Sequence, residues 1–111
     1  MSLDWDRVTD FAAGLPGTER STHYGRPAIK ANGNAFVAPG HEDGSFCLMI
    51  DQDTKLMLME TDPATYWQTP HYDGWPAVLV RENSDDPERV RATIEQAHTR
   101  ALDRKPPRKK T

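Results

Sequence analysis

Apolar residues recur at helical spacing near both ends of the chain and at strand spacing between them. The first apolar stripe predicts an amphipathic helix over residues 3–13. The stripe consists of Trp5, Val8, Phe11, Ala12 and Leu15. We expect Ser2 to cap this helix, because a serine hydroxyl accepts a hydrogen bond from unpaired backbone N–H groups. Pro16-Gly17 prevents the helix from continuing.

The clearest helix is expected over residues 87–104. Asp86 precedes it as a cap, and Pro87 takes the first position, where the missing proline N–H is of no consequence. One face is predicted to be buried through Val90, Ile94, Ala97, Ala101 and Leu102. Pro106-Pro107 ends the helix. Residues 105–111 carry nothing that a core can bury, so they are predicted to form a disordered basic tail.

The middle of the chain has the short apolar runs and the glycine and proline breaks that are typical of strands. Strands are predicted at residues 20–24, 28–32, 34–38, 46–50 and 75–81. Asn32-Gly33 suits a type I′ hairpin turn, because both residues tolerate a positive φ. Asp62-Pro63 predicts a short helical turn that carries Tyr66 and Trp67.

Residues 53–60 have no clean period and remain ambiguous between helix and strand. Asp53 is placed to cap a helix, and leucine and methionine are good helix formers without β-branching. Helices gathered beside an antiparallel sheet indicate an α+β domain with two layers. We expect a single such domain over residues 1–104.

Composition narrows the class of protein. The 111 residues fit one domain, and the single cysteine, Cys47, excludes an intramolecular disulfide. Because Cys47 lies in an apolar strand, we expect it to be buried and inert. No apolar run approaches the length of a membrane span, and the acidic start lacks a signal-peptide core. A cytoplasmic location without membrane attachment is therefore expected.

The net charge of −3 is unevenly distributed along the chain. Residues 1–99 carry −8, whereas residues 100–111 carry +5. An acidic body repels nucleic acid, but a basic arm supplies non-specific contacts with phosphates.

No catalytic or metal-binding motif stands out. The four histidines and Cys47 lack the spacing of metal ligands, and no cofactor is expected. His23 and His71 lie in loop-flanked stretches, so an enzyme with a shared His23/His71 site is a minor alternative. Asp53, Asp62 and Asp86 are explained as helix caps. The sequence therefore favours a binding protein that is not an enzyme.

Three segments carry a family resemblance: Leu15-Pro16-Gly17-Thr18, Gly25-Arg26-Pro27 and the run Thr-Pro-His-Tyr-Asp-Gly-Trp-Pro-Ala-Val-Leu-Val-Arg at 69–81. They resemble the MmcQ/YjbR family of bacterial proteins, and the resemblance extends over roughly residues 3–104. It implies an antiparallel sheet with an N-terminal helix, a short middle helix at 53–60 and a long C-terminal helix, similar to secretion-chaperone-like and CyaY-like folds. Family members are commonly labelled DNA-binding. The chain departs from the family pattern at His98, where relatives often carry a large aromatic residue.

Two sets of candidate residues follow. The candidates for nucleic-acid contact are the cations Arg26, Lys30, Arg81, Arg104, Lys105, Arg108, Lys109 and Lys110. The candidates for an aromatic groove are His71, Tyr72 and Trp75. The leading hypothesis is weak, salt-dependent DNA binding that is largely lost when residues 104–111 are deleted. The alternative is a protein- or small-ligand-binding module that uses the sheet face or the groove.

Overall fold

A computed structural model describes residues 4–23, 25–40 and 44–105. This part of the chain contains three helices, six strands and one 3₁₀ turn, Pro70–Tyr72. In chain order the helices and strands are α1 (Trp5–Ala13), β1 (Thr18–His23), β2 (Arg26–Ala31), β3 (Asn34–Pro39), β4 (Ser45–Met49), α2 (Gln52–Thr61), β5 (Tyr66–Trp67), β6 (Ala77–Arg81) and α3 (Pro87–Asp103). The expected helices at both ends and the helix in the middle are all present.

The strands form one antiparallel sheet in the order β1-β2-β3-β4-β6-β5. Helices α1 and α3 contact each other, and both pack against β2 and β3. The main core lies between these helices and the sheet, where Val8, Ala12, Phe36, Leu48 and Ile94 are almost fully buried. The predicted α+β architecture with two layers is therefore confirmed.

Aspartates cap all three helices, but two of them differ from the prediction. Helix α1 begins at Trp5, so Asp4 rather than Ser2 accepts from the backbone N–H three residues on. Helix α2 begins one residue before Asp53, so Asp51 is its cap and Asp53 lies in the first turn. Asp86 caps α3 as predicted. In each case the side-chain oxygen satisfies an N–H group that has no partner within the helix.

The segment between α2 and β6 differs most from the sequence prediction. Tyr66 and Trp67 pair with Val80 and Leu79 as a short edge strand, and the predicted helical turn over them is wrong. Asp62 follows the C-terminus of α2, and its carbonyl oxygen accepts hydrogen bonds from the N–H groups of Thr65 and Tyr66. A turn therefore does follow Asp62, but it ends where β5 begins. The last strand begins at Ala77 rather than at residue 75, because Pro76 has no N–H to donate to the ladder.

A β-bulge in β3 places two consecutive side chains on the same face of the sheet. Ile29 pairs with Val37 and Lys30 pairs with Ala35, which leaves Phe36 as the extra residue. Phe36 and Val37 therefore both pack on the side of α1 and α3. In the other strands side chains alternate, as strand geometry requires. We call the side of the sheet opposite α1 and α3 the outer face.

The C-terminal end of α3 is held against the β2–β3 hairpin. Asn32 and Gly33 have φ values of 51° and 76°, in agreement with the predicted type I′ turn. Asn34 Nδ2 lies 3.1 Å from the carbonyl oxygen of Ala101. Leu102 is 40% exposed, so its predicted burial is wrong. It follows Ala101 directly and is therefore rotated about 100° away from the buried stripe.

His98 occupies a buried position on α3. Its Nε2 atom lies 2.6 Å from the carbonyl oxygen of Pro16. Its ring contacts Phe36 at a centroid distance of 5.6 Å. A hydrogen bond therefore ties α3 to the segment after α1, an interaction that a phenyl ring at this position would not make.

Candidate functional site

The outer face carries three of the cations that the sequence singled out. Alternation along the strands places Arg26, Lys30 and Arg81 on this face, because Ile29, Val78 and Val80 point into the main core. The same rule places Glu19 there, directly across from Lys30. Among the described outward positions of the strands, Glu19 is the only acid. Most of the described acids lie instead on the helices and their caps.

Arg26 and Arg81 lie at the same end of the outer face. Ile29 and Val78 belong to one cross-strand row, which runs through Val37 and Leu48. Arg26 and Arg81 each lie three residues from this row toward the same end. Three strand spacings separate them, about 14 Å. Lys30 is four residues from Arg26 along β2, about 13 Å. The spacing suits contacts with separate phosphates rather than with one.

Arg81 is held on an aromatic side chain. The centre of its guanidinium lies 4.5 Å from the ring centroid of Trp67. Its Nε donates a hydrogen bond of 3.1 Å to the carbonyl oxygen of Ala64. These two contacts hold the guanidinium in place, yet Arg81 remains exposed. A stacked, exposed arginine is preorganised to recognise planar or anionic groups.

Residues 68–76 cross the end of the sheet between β5 and β6, and we call them the strap. The Nζ atom of Lys55 is 2.8 Å from the carbonyl oxygens of Tyr72 and Trp75, both in the strap. Lys55 has no exposed surface, and burial lowers its pKa. The strap is further tied by a hydrogen bond from the Trp75 N–H to Tyr72 O. A buried lysine therefore fixes the backbone of the strap.

Tyr72 joins the strap to the centre of the outer face. Its hydroxyl donates to Cys47 Sγ, and both residues belong to a small apolar cluster with Leu79, Met49 and Trp67. Burial raises the pKa of the Cys47 thiol to about 11. Burial likewise raises the pKa of Tyr72 to about 12. Cys47 is buried, as the sequence predicted, and its high pKa keeps it a poor nucleophile.

The residues proposed for an aromatic groove lie on the strap. His71 packs edge-on against Tyr72 at a centroid distance of 5.1 Å, and it is exposed. Trp75 is 64% exposed although its backbone is fixed. A shallow depression of about 310 Å³ adjoins them, lined by Gln68, Thr69, Pro70 and Asp73. The Oε1 atom of Gln68 is itself buried and has no hydrogen-bond partner among the described residues.

The C-terminal cations begin beside the β2–β3 hairpin. The Asn32 Nδ2 atom donates a hydrogen bond of 2.8 Å to the carbonyl oxygen of Arg104. Arg104 and Lys105 are exposed. Arg108, Lys109 and Lys110 lie outside the described residues, as does most of the predicted tail. The described chain therefore ends close to the β2–β3 hairpin.

The alternative His23/His71 site stays a prediction. His23 ends β1, but its side chain lies outside the described part of the structure. Within residues 4–23, 25–40 and 44–105, no group of three or more His, Cys, Asp or Glu side chains is arranged to hold a metal ion. None of the described helices is long and apolar enough to cross a membrane.

The chain is similar to a known family of proteins. The model of the YjbR family matches residues 13–100. The chain belongs to the YjbR family. Proteins of Mycobacterium tuberculosis and Mycobacterium bovis are 35% identical to this YjbR chain in an alignment 92 residues long. The match covers 69% of the chain and 71% of each relative. Their names describe them only as uncharacterised. No solved structure matches the chain.

Sequence reasoning missed two residues of this YjbR domain that organise the site. Lys55 follows the cap of α2 like an ordinary solvent-exposed lysine, and no local pattern signals that it is buried. The sequence predicts a helical turn for Trp67, so it gives no sign that the indole lies beneath Arg81. Tyrosine and tryptophan are both common in strands, so the pair Tyr66-Trp67 is itself a strand signal. The signal is easy to overlook because it is only two residues long.

Proposed function

We propose that this YjbR protein is a non-enzymatic nucleic-acid-binding protein whose contact surface is the outer face. The observation that carries the proposal is the placement of Arg26, Lys30 and Arg81 on one face, with the acids concentrated on the helices. DNA is the partner that the family resemblance implies. A cytoplasmic location is part of the proposal, and cell fractionation tests it.

The acidic net charge does not oppose this function as strongly as the sequence suggests. Screening limits the reach of exposed charges to about 8 Å at physiological ionic strength. A phosphate near the outer face therefore interacts mainly with the cations of that face rather than with the distant helix acids. Because the outer face holds few cations, we expect weak and salt-dependent binding.

A pair of matched variants tests the proposal. Arg26→Gln removes a cation from the outer face, whereas Arg91→Gln removes one from α3 on the other side of the sheet. Binding of a fluorescein-labelled DNA oligonucleotide is followed by anisotropy at several salt concentrations. Arg26→Gln should weaken binding several-fold and reduce the slope of log K against log salt by about 0.7–0.9. Arg91→Gln should leave both quantities unchanged.

Two results would refute the outer face as the binding surface. One is an equal loss in both variants, which would indicate that only net charge matters. The other is undiminished binding by Arg26→Gln. Circular dichroism of each variant confirms that the fold is retained.

The strap supports a second candidate function, the binding of a protein or small ligand. An exposed tryptophan on a backbone that Lys55 fixes resembles the rigid aromatic anchors of binding interfaces. Trp75→Ala separates the two functions: it should abolish ligand binding at the strap and leave the salt slope of DNA binding intact.

A further inference from the structure

Arg81 is placed to do more than attract phosphates. Its guanidinium carbon lies over the Trp67 ring, 4.5 Å from the ring centroid, so the indole covers one side of the group. The carbonyl oxygen of Ala64 occupies Nε. The described residues give the two Nη groups no hydrogen-bond partner, and Arg81 is exposed. The side of the guanidinium that faces away from Trp67 is therefore available to a flat group.

A nucleobase is a flat group of the required kind. Bases stack on guanidinium planes as they do on aromatic rings, but only when their faces are exposed, as in single strands. In a duplex, the neighbouring base pairs cover both faces of each base. A bare cation such as lysine attracts phosphate equally well but offers no plane to stack on.

We propose that the outer face binds single-stranded nucleic acid, with an unpaired base stacked on the Arg81 guanidinium above Trp67. This inference rests on the proposed function and specifies its ligand. Arg26 and Lys30 contact phosphates of the same strand, since their separations of about 13–14 Å exceed what one phosphate can bridge. Edge strand β5 is only two residues long. The nucleic acid therefore approaches Trp67 and Arg81 from this open edge of the sheet.

The test compares arginine-to-lysine changes at two positions. Arg81→Lys keeps the charge but removes the planar group, and Arg26→Lys makes the same change where only the charge is needed. The probes are a single-stranded DNA oligonucleotide, the same strand with abasic sites throughout, and the corresponding duplex. Arg81→Lys should weaken binding of the intact single strand about tenfold. Arg26→Lys should change it less than about twofold. Neither variant should alter binding of the abasic strand.

Tryptophan fluorescence gives an independent readout. In a Trp5→Phe, Trp75→Phe background only Trp67 emits. The intact single strand should change the Trp67 emission, and the abasic strand should not. If Arg81→Lys lowers the melting temperature too far for the assay, Trp67→Leu in the otherwise natural chain serves as a second variant. It removes the indole beneath the Arg81 guanidinium. It should produce the same selective loss in the binding assay.

The outcomes separate this inference from the proposed function. If Arg26→Gln weakens binding but the duplex or the abasic strand binds as tightly as the intact strand, the outer face binds polyanions and the stacking inference is wrong. Equal effects of Arg81→Lys and Arg26→Lys would overturn it as well. If none of the three probes binds, the proposed function fails, and the inference fails with it.

Discussion

Two polar side chains, Cys47 and Lys55, are each buried by the same group that gives them a hydrogen-bond partner. Cys47 lies beneath Tyr72, and the hydroxyl that covers the thiol also donates to it. Lys55 is buried by the strap whose carbonyl oxygens it contacts. In both cases one contact excludes water and satisfies a polar atom, which is what burial of such groups requires. Neither group is therefore available for chemistry at neutral pH.

The Cys47 thiol should make the protein less stable at alkaline pH. Its pKa is about 11 in the folded state against 9.0 ordinarily, so between these values only the unfolded chain has lost the proton. Stability is therefore full below the lower value and falls as the pH rises toward the higher one. The loss is on the order of 2–3 kcal/mol. Tyr72 adds a loss of the same sign at higher pH, because its pKa is also raised.

Denaturation with guanidinium chloride at a series of pH values measures this effect. The Cys47→Ala variant should show a shallower decline in the free energy of unfolding over the interval in which the thiol titrates. Parallel curves for the two proteins would show that the thiol is not protected as the structure indicates.

Among the elements, the amphipathic helices could be predicted from the sequence. The elements that form only by pairing with a distant strand could not. The stripe from Val8 to Ala12 and the Asn32-Gly33 turn carry local signals that need no tertiary context. Strand β5 is different, because two residues become a strand only through pairing with β6. The same holds for the site: the cations Arg26, Lys30 and Arg81 were recognisable, but their common face depends on strand register and on the bulge at Phe36.

The contact between α3 and the β2–β3 hairpin depends on the amide of Asn34. Its Nδ2 lies 3.1 Å from Ala101 O and 3.3 Å from the carbonyl oxygens of Arg104 and Lys105. Asn34→Asp keeps the shape but replaces the donor with a carboxylate that faces the negative end of the helix dipole. We expect a loss of about 2–4 kcal/mol in the free energy of unfolding at neutral pH.

Asn34→Ala is the matched control, because it removes the donor without adding a charge. Its loss should be smaller, about 1–2 kcal/mol. Protonation of the new carboxyl restores a donor, so the difference between the two variants should shrink as the pH is lowered. Urea denaturation at neutral and acidic pH measures both. A difference that does not change with pH would contradict the electrostatic explanation.

At the scale of the whole molecule, the binding of an anionic ligand depends more on where the charges lie than on the net charge. The shortest principal extent is 24 Å, about three screening lengths of ~8 Å at physiological salt. Charges on the helix side and on the outer face therefore act largely independently on a bound ligand. The basic C-terminal segment begins beside the β2–β3 hairpin, because Asn32 and Asn34 contact the carbonyl oxygens of Arg104 and Lys105.

The position of the truncation should determine whether a tail deletion changes only DNA binding or also the stability of the domain. Deleting residues 106–111 removes three cations, Arg108, Lys109 and Lys110, and keeps the carbonyl groups that Asn32 and Asn34 contact. If all three cations contact phosphates, the salt slope on single-stranded DNA should fall by about 2. The melting temperature should not change. Deleting residues 104–111 also removes the two acceptors, so it should lower both binding and stability.

Only the shorter deletion therefore measures the electrostatic contribution of the tail. A salt slope unchanged by its removal would assign binding entirely to the outer face, where Arg26→Gln should still lower the slope by about 0.7, the share of one cation. Conversely, if the shorter deletion abolishes binding while Arg26→Gln has no effect, the tail binds DNA by itself and the folded domain only carries it. Anisotropy titrations at several salt concentrations, paired with thermal unfolding of each chain, distinguish these cases.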